Sequence, residues 1–338
     1  MIHPLARLIG LCALVPGLIA LSGAASAQSM QTPRPQAAAS NYPNKPIRLV
    51  VPFSPGGGTD ILARLIARKA SEAWGQSIIV DNRGGAGGTI GTDIAAKSEP
   101  DGYTVLMTSI SVAYLPALRR KLPYDTGKDL DPVILVVTQP NVLVVHPSLP
   151  AKSVADLIAL AKSRPREIRY GSGGSGSAPH LATEMFRANA NIDLVHVPYK
   201  GGGPAMIGLM AGESHMLIFG MASLLPHVRS GKVRALAVTG STRAKAAPEL
   251  PTVAEAGLPG FEFDTWYGLL VPAKTPGVII KKINEEFNRA LAMQDVQEGL
   301  AKLGVEPLGG TQEKFATYLK AEIKKWAAVV REAKIHID

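Results

Sequence analysis

Cysteine is nearly absent from this chain, since Cys12 is its only one. It lies within an apolar stretch at residues 8–21, which follows Arg7 and precedes a small-residue Ala-Ser-Ala motif at residues 25–27. This order is typical of a signal peptide, cleaved here after Ala27. We therefore expect an exported, periplasmic chain without a disulfide, a cysteine nucleophile or a thiolate metal ligand. The distance of Cys12 from the cleavage point also argues against a lipid anchor.

Long unbroken apolar runs are missing as well. Pro16, Gly17 and Gly23 interrupt the N-terminal stretch, whereas a membrane-spanning helix needs about 20 consecutive apolar residues. A cleaved leader at residues 1–27 is therefore favoured over a transmembrane anchor. Residues 28–41 are rich in Gln, Pro, Ala and Ser and show no apolar periodicity, which predicts a flexible tether.

Aromatic residues make up only 5% of the chain, and its basic residues, which give a net charge of +9, are dispersed along the sequence. Nucleic-acid-binding proteins typically concentrate basic residues in a patch or stripe. The composition therefore argues against a nucleic-acid partner. A dispersed basic excess in an exported protein instead favours anionic solutes.

Short apolar runs alternate with amphipathic stretches from residue 47 onward. This alternation predicts an α/β fold with mostly parallel sheets flanked by helices. The predicted strands span 47–51, 78–80, 104–107, 168–170, 194–197, 215–219, 233–238 and 268–271. The predicted helices span 61–74, 153–163, 178–189, 204–211, 222–230, 276–291 and 311–333.

The alternation is interrupted at two places, which we interpret as crossovers between two lobes. Apolar runs at 133–137 and 142–145 are separated by Gln139–Pro140–Asn141, and a second crossover is expected near 262–271. The second lobe is thus predicted to be inserted into the first. Residues 42–140 and 265–338 would form the first lobe, and residues 141–264 the second.

Glycine-rich loops follow several predicted strands, at residues 52–60, 82–91, 171–180 and 201–203. Glycine lets the backbone approach a ligand closely. A helix that starts after such a loop points free N–H groups and the positive end of its dipole at the same spot. Convergence of these loops on one cleft would form an anion-binding site and not a reaction centre.

Motifs for cofactor, metal and hydrolytic chemistry are incomplete or absent. The Gly-x-Gly-x-x-Gly match at 171–176 lacks the acidic residue that dinucleotide binding requires after the next strand, and no glycine run continues into Gly-Lys-Ser/Thr. Neither Gly-x-Ser-x-Gly nor His-Glu-x-x-His occurs. We therefore expect no catalytic residue, no cofactor and no metal.

Some isolated polar residues have two interpretations. His180 and Glu184 are one helical turn apart and could hold a metal, but without a third ligand a helix-start histidine and a solvated acid are favoured. His196 and His215 are interpreted as structural. Asp60 could act as a general base, although its position at a predicted helix start favours an acid stabilised by the helix dipole.

Hydroxyl side chains are frequent in the predicted strand-to-helix turns. Each can cap its helix, or it can join loop N–H groups in holding a carboxylate without an arginine. The residues concerned are Ser54, Thr59, Thr89, Thr108, Ser109, Ser111, Ser172, Ser175 and Ser177.

A series of short motifs follows in order from residue 42 onward. They are Tyr42-Pro-x-Lys-Pro-Ile-Arg, Val51-Pro-Phe-x-Pro-Gly-Gly-x-Thr-Asp, Asp81-Asn-Arg-x-Gly-Ala-Gly-Gly, Pro100-Asp-Gly-Tyr-Thr, Leu122-Pro-Tyr-Asp, Gly176-Ser-x-x-His-Leu-Ala, Val197-Pro-Tyr-Lys-Gly, Lys232-Val-Arg-Ala-Leu-Ala-Val, Glu249-Leu-Pro-Thr-Val-Ala-Glu-Ala-Gly and Trp266-Tyr-Gly. In this combination the chain resembles the periplasmic solute receptors of tripartite tricarboxylate transporters, the Bug family.

The resemblance implies a two-lobed periplasmic-binding-protein clamshell (a Venus flytrap) that captures a small carboxylate and delivers it to integral membrane permease subunits. We expect a monomer. In this family a loop from each lobe and ordered waters hold one ligand carboxylate, and more variable positions contact its far end. The carboxylate positions correspond to residues 53–59 and 175–180. The predicted ligand-binding residues in these two ranges are Phe53, Ser54, Gly57, Gly58, Thr59, Ser175, Gly176, Ser177, Ala178 and His180, and Asp60 and Gly201 are predicted to bind the ligand as well. The far-end positions correspond to Ser109, Ser111, Tyr199, Met221 and Trp266.

Many members of the family have Phe-Asp where this chain has Phe219–Gly220. Without that aspartate, a ligand with an amino group is disfavoured, and an uncharged body, aromatic or not, with one or two carboxylates is favoured. Two other functions stay open. One is a secreted α/β enzyme acting on a small carboxylate, which would need a nucleophile, metal or cofactor. The other is a ligand-sensing adaptor for a membrane sensor.

Overall fold

A computed structural model describes residues 41–332 of the chain. The predicted signal peptide, its cleavage site and nearly all of the predicted tether lie outside the described residues. Within residues 41–332, no helix has both the length and the apolar character that crossing a bilayer requires.

The first sheet carries the first lobe and has the strand order β2–β1–β3–β9–β4. β1 pairs in parallel with β2 and β3, whereas β9 is antiparallel to β3 and β4, and the short β10 adds to β4. The strands are β1 (Ile47–Val51), β2 (Ile78–Asn82), β3 (Thr104–Ser109), β4 (Leu130–Val145), β9 (Asp264–Pro272) and β10 (Glu306–Pro307).

The second sheet carries the second lobe and is built on the far end of β4. There β4 pairs antiparallel with β7 and β8, and β5 lies parallel between β7 and β6. Its remaining strands are β5 (Arg169–Ser172), β6 (Val195–Pro198), β7 (Met216–Gly220) and β8 (Arg234–Val238).

Ten α-helices flank these sheets in residues 41–332. They are α1 (Gly58–Trp74), α2 (Thr89–Ala96), α3 (Ser111–Leu118), α4 (Val154–Ser163), α5 (Ala178–Ala190), α6 (Gly202–Met210), α7 (Met221–Arg229), α8 (Gly277–Leu291), α9 (Gln294–Lys302) and α10 (Gln312–Glu332). The sequence did not predict α2, α3 or α9. In α3 nearly all side chains are buried, so it has no polar face to reveal a helical period.

Apolar faces at helical spacing fix the C-terminal helices on the first lobe. In α10, Phe315, Leu319, Trp326 and Val330 are buried, as their spacing of four and seven residues predicts. α8 packs against α1 and β4, and α10 packs against α3 and β4. The chain therefore returns to the first lobe after it has completed the second.

The predicted break at Gln139–Pro140–Asn141 is wrong, because β4 runs through it without interruption. Residues up to Pro140 pair with β9 of the first sheet, and residues from Asn141 pair with β7 of the second. Proline has no N–H to donate to a strand ladder, and here it lies at the point where β4 changes partners. This exchange of partners supports the proposed boundaries at 140/141 and 264/265, because Asp264 begins β9 opposite Pro140.

Candidate functional site

A cavity lies between the two lobes and contains about 430 Å³ of space free of protein atoms, its mouth included. First-lobe loops and second-lobe loops both contribute to its wall. The lining residues are Phe53, Gly57, Gly58, Thr59, Ser109, Asn141, Gly173, Ser177, Ala178, Pro179, Gly202, Phe219, Gly220, Thr265 and Tyr267.

None of these lining residues carries a charge, but helix N-termini give the cavity a positive electrostatic potential. Four helices begin at its wall: α1 after Gly57, α5 after Ser177, α6 after Gly201 and α7 after Gly220. The first N–H groups of a helix have no partner within it, and the helix dipole is positive at that end. Four such ends around one small cavity favour an anion.

The Ser177 hydroxyl is free to bind a ligand. Ser177 stands at the N-cap position of α5 but makes no side-chain capping bond. Its Oγ is buried and has no hydrogen-bond partner within residues 41–332. A buried hydroxyl without a partner is costly unless something else satisfies it, and this one lines the cavity.

Thr59 and Asp60 begin α1 with different roles. Thr59 lines the cavity, and no hydrogen bond joins its hydroxyl to another of the described residues. Asp60 accepts hydrogen bonds from the Gly56 N–H and from Arg64, each at 2.9 Å. Burial alone would raise the pKa of the Asp60 carboxyl, but these bonds lower it below its usual value. Asp60 is therefore an ionised acid that fixes the loop, and it is poorly suited to act as a base.

The wall opposite these helices comes from the crossover strands. Asn141 donates to the Phe263 carbonyl at 2.8 Å and accepts from the Thr265 hydroxyl at 3.0 Å. Tyr267 Oη accepts from the Gln139 amide at 2.8 Å. These buried bonds hold the wall rigid between the lobes.

The two lobes touch at the rim of the cavity, so the structure is closed. Ser54 Oγ of the first lobe donates to the Lys200 carbonyl of the second. A Cβ placed on Gly203 would lie 2.7 Å from the Pro55 carbonyl oxygen, and one on Gly201 would lie 2.6 Å from Ser54 Cβ. Only glycine allows the backbones to approach this closely.

The predicted site residues divide into two groups. The cavity brings together Phe53, Gly57, Gly58, Thr59, Ser109, Ser177 and Ala178. The others do not line it: Ser54, Asp60, Ser111, Ser175, Gly176, His180, Tyr199, Gly201, Met221 and Trp266.

Local bonds explain why several predicted residues lie outside the cavity. Trp266 donates to Glu322 at 2.8 Å, and Tyr199 donates to Glu213 at 3.1 Å. Ser111 lies 3.1 Å from Ser109, hydroxyl to hydroxyl. Met221 is fully buried in the core of the second lobe.

Prediction from the sequence missed Asn141, Thr265 and Tyr267 as cavity residues, together with Gly173, Gly202, Phe219 and Gly220, whereas Pro179 lies within the predicted range 175–180. Successive strand residues point to opposite faces of a sheet, so Thr265 and Tyr267 face the cavity while Trp266 faces α10. The Trp-Tyr-Gly motif was the available signal, and the prediction took Trp266 from it in place of Tyr267.

His180 belongs to a histidine cluster behind the α5 loop. Its Nδ1 accepts from the Gly176 N–H at 3.1 Å, and its ring stacks on His196 with centroids 4.0 Å apart. Burial, together with His196, lowers the pKa of His180 to about 4.

The prediction of a solvated Glu184 is wrong, because its side chain is only 15% exposed and pairs with Arg187. Residues 41–332 contain no cluster of three potential metal ligands.

Known proteins share this sequence and this architecture. Residues 62–335 match the family described as "Tripartite tricarboxylate transporter family receptor". The chain is 42% identical to Protein BugT of Bordetella pertussis over 296 residues, which cover 87% of this chain and 91% of BugT.

Two solved structures from R. palustris have the same fold. One, determined with adipate, is 39% identical with a TM-score of 0.85, and the match covers 88% of this chain and 99% of that one. The other is MatC with bound malate, 32% identical with a TM-score of 0.83, over 86% of this chain and 100% of MatC. The expected two-lobed periplasmic-binding-protein fold is thereby confirmed. This chain belongs to the tripartite tricarboxylate transporter receptor family, the group that contains the Bug proteins.

Proposed function

We propose that the protein is a periplasmic receptor that binds a small carboxylate by closing its lobes and delivers it to the membrane permease of a tripartite tricarboxylate transporter. The observation that carries this proposal is the uncharged cavity at four helix N-termini, in which Ser177 Oγ has no partner among the described residues. Hydrogen bonds from neutral donors to an ionised acceptor are strong, so such a site can hold a carboxylate without arginine or lysine.

The chemistry of the relatives supports the same ligand class. Adipate and malate, bound in the two R. palustris structures, are both dicarboxylates. Around the cavity of this chain, Phe219 and Gly220 supply no carboxylate that could pair with an amino group. We therefore propose a ligand with one or two carboxylates on an uncharged body.

An enzyme acting on the same carboxylate is the less favoured alternative. A nucleophilic serine needs a base within hydrogen-bond distance, and Ser177 Oγ has no such neighbour among the described residues. The nearby His180 already uses its Nδ1 to accept the Gly176 N–H. A role as an adaptor for a membrane sensor is compatible with the same binding site.

Calorimetric titration of the ligand-stripped protein tests the proposal. The panel is adipate, malate, succinate, benzoate and acetate, with aspartate and phosphate for comparison. We expect at least one of the carboxylic acids to bind and to raise the melting temperature, because a ligand that binds only the native state stabilises it. Titrations without heat for all five acids, confirmed by unchanged melting, would contradict the proposal.

Thr59→Val provides the matching test of the site. The substitution keeps the side-chain volume but removes a donor from the cavity, so it should weaken binding by about 1–3 kcal/mol. Thr242→Val serves as control, because Thr242 is exposed on the surface. Equal affinities of the Thr59 variant, the control and the wild type would show that Thr59 does not contact the ligand.

A further inference from the structure

Gln139 is a fully buried amide, and a single backbone hydrogen bond fixes which way its oxygen points. Its Oε1 accepts the backbone N–H of Ala222, at the start of α7, at 2.8 Å. A backbone N–H can only donate, so the oxygen must face α7 and the Nε2 group must face the other way. There Nε2 donates to Tyr267 Oη, also at 2.8 Å.

This orientation determines what Tyr267 can offer. Because its oxygen already accepts a hydrogen bond from Gln139, its own proton must point elsewhere. No group within residues 41–332 accepts that proton, and Tyr267 lines the cavity. Burial raises the pKa of Tyr267 above its ordinary value, so the hydroxyl keeps its proton at neutral pH.

Two glycines make room for the side chains of Gln139 and Tyr267. A Cβ on Gly220 would overlap the Gln139 amide, and a Cβ on Gly58 would lie 2.7 Å from Tyr267 Oη. Gly58 begins α1 in the first lobe, and Gly220 precedes α7 in the second. The hydroxyl of Tyr267 therefore lies between the N-termini of two helices that belong to different lobes.

We propose that Gln139 is a positioning residue that holds Tyr267 as an obligatory donor, so that the receptor selects carboxylic acids with an oxygen acceptor at the Tyr267 end and rejects those with an ammonium group there. The inference rests on the proposed carboxylate function. None of the lining residues is charged, so the specificity at this end of the cavity would come from the Tyr267 hydroxyl. Its oxygen already accepts from Gln139, so it presents its proton to the ligand, which favours an oxygen acceptor over an N–H donor.

A double-mutant cycle with Gln139→Met and Tyr267→Phe tests the proposal, using the acid of the panel that the wild type binds most tightly. Tyr267→Phe should weaken binding by about tenfold to a hundredfold, the range expected for a hydrogen bond to a charged acceptor. Gln139→Met should also weaken binding when Tyr267 is present but should change little in the Tyr267→Phe background, because a positioning residue acts only through its partner. Equal losses in both backgrounds would overturn the proposal.

The ratio of the dissociation constants for two ligands provides a second measurement, because a mere loss of protein stability would not change this ratio. Malate carries a hydroxyl where aspartate carries an ammonium group. Tyr267→Phe removes only one oxygen from the side chain. In this variant the affinity for aspartate should therefore rise relative to the affinity for malate. An unchanged ratio together with unchanged affinity would overturn the inference while leaving the receptor function in place. Failure of the wild type to bind any panel acid would instead contradict the proposed function.

Discussion

Two serines at the start of helices show how one residue type serves different purposes in this protein. Ser153 precedes α4 and accepts the Asp156 N–H at 3.1 Å, so it caps its helix. Ser177 precedes α5 in the same extended conformation but makes no such bond. The difference is that Ser177 faces the cavity between the lobes, whereas Ser153 lies on the surface of the second lobe.

Ser177→Ala should weaken carboxylate binding by about 1–3 kcal/mol, the cost of losing a hydrogen bond to a charged group. The melting temperature of the ligand-free protein should not fall, because the hydroxyl has no partner among the described residues. Ser153→Ala is the matched control and should show the reverse: a loss of about 1 kcal/mol of stability with unchanged affinity. Calorimetry and thermal melting of both variants measure the two effects, and a destabilised Ser177→Ala with normal affinity would show that Ser177 only caps α5.

His180 should make the stability of the protein depend on pH. Its pKa is lowered from 6.5 to about 4 in the folded state, first by burial and then by the charge of His196, against an opposing effect of Glu184. Between these values the unfolded chain binds more protons than the folded one, so the free energy of unfolding decreases as the pH falls from 6.5 to 4. Protonation would also remove the acceptor for the Gly176 N–H, since imidazolium has no free lone pair.

Urea unfolding at several pH values between about 4 and 7 measures this dependence. His180→Asn keeps an acceptor near the Gly176 N–H but does not titrate, so its stability should decline less steeply with acid than that of the wild type. His196, whose pKa burial also lowers, will leave a residual slope. Identical slopes for the variant and the wild type would show that His180 does not contribute.

Helix α3 connects the first lobe to the binding loop of the second. Tyr114 donates to the Gly176 carbonyl at 3.1 Å, and Arg119 donates to the Ser175 carbonyl at 3.2 Å. Neither side chain lines the cavity. These bonds exist only while the lobes are together, so they stabilise the closed arrangement without touching a ligand.

Arg119→Ala should therefore weaken ligand binding through the equilibrium between open and closed forms. Loss of one such hydrogen bond corresponds to about 0.5–1.5 kcal/mol, and most of the change should appear as faster ligand dissociation, because the closed state is less stable. Arg120→Ala is the control, since Arg120 is the exposed neighbour. Stopped-flow displacement measures the ligand dissociation rates of both variants. Equal rates for Arg119→Ala and Arg120→Ala would contradict the role assigned to Arg119.

The whole molecule consists of two lobes joined by a pair of crossover strands, β4 and β9, and glycine loops of the two lobes meet at the rim of the cavity. A carboxylate that contacts Thr59 of the first lobe and Ser177 of the second gains both contacts only in the closed form. Binding should therefore shift the population toward closure. In the proposed function, the distance between the lobes is then the signal that a permease recognises.

Gly203→Ala tests closure without altering the cavity wall. Alanine is the better residue within a helix, and the first turn of α6 accepts it locally, but its Cβ would lie 2.7 Å from the Pro55 carbonyl when the lobes close. We expect normal stability, binding weakened by about 1–3 kcal/mol as for other overpacked contacts, and no compaction in small-angle scattering on addition of ligand. Gly277→Ala at the start of α8 has no atom within 4 Å of its Cβ and serves as control. Compaction of the Gly203 variant equal to that of the control would contradict the role assigned to Gly203, and no compaction of the control would contradict the hinge mechanism.

Much of the architecture follows from local patterns in the sequence. Apolar runs and helical spacing predicted β1 at its observed bounds and α10 to within one residue at each end, because these patterns reflect burial against a neighbouring layer. Glycine loops at strand ends predicted the first-lobe half of the cavity, where Gly57, Gly58 and Thr59 line the wall.

The far wall of the cavity depends on the tertiary structure. Asn141 and Tyr267 are distant in sequence and meet because β4 and β9 cross between the lobes side by side. A sequence pattern shows that strand residues alternate but not which face of β9 turns toward the ligand, so Trp266 and Tyr267 were equivalent until their packing was known. The role proposed for Gln139 was hidden for the same reason, because the direction of a hydrogen bond depends on which neighbours folding brings within about 3 Å.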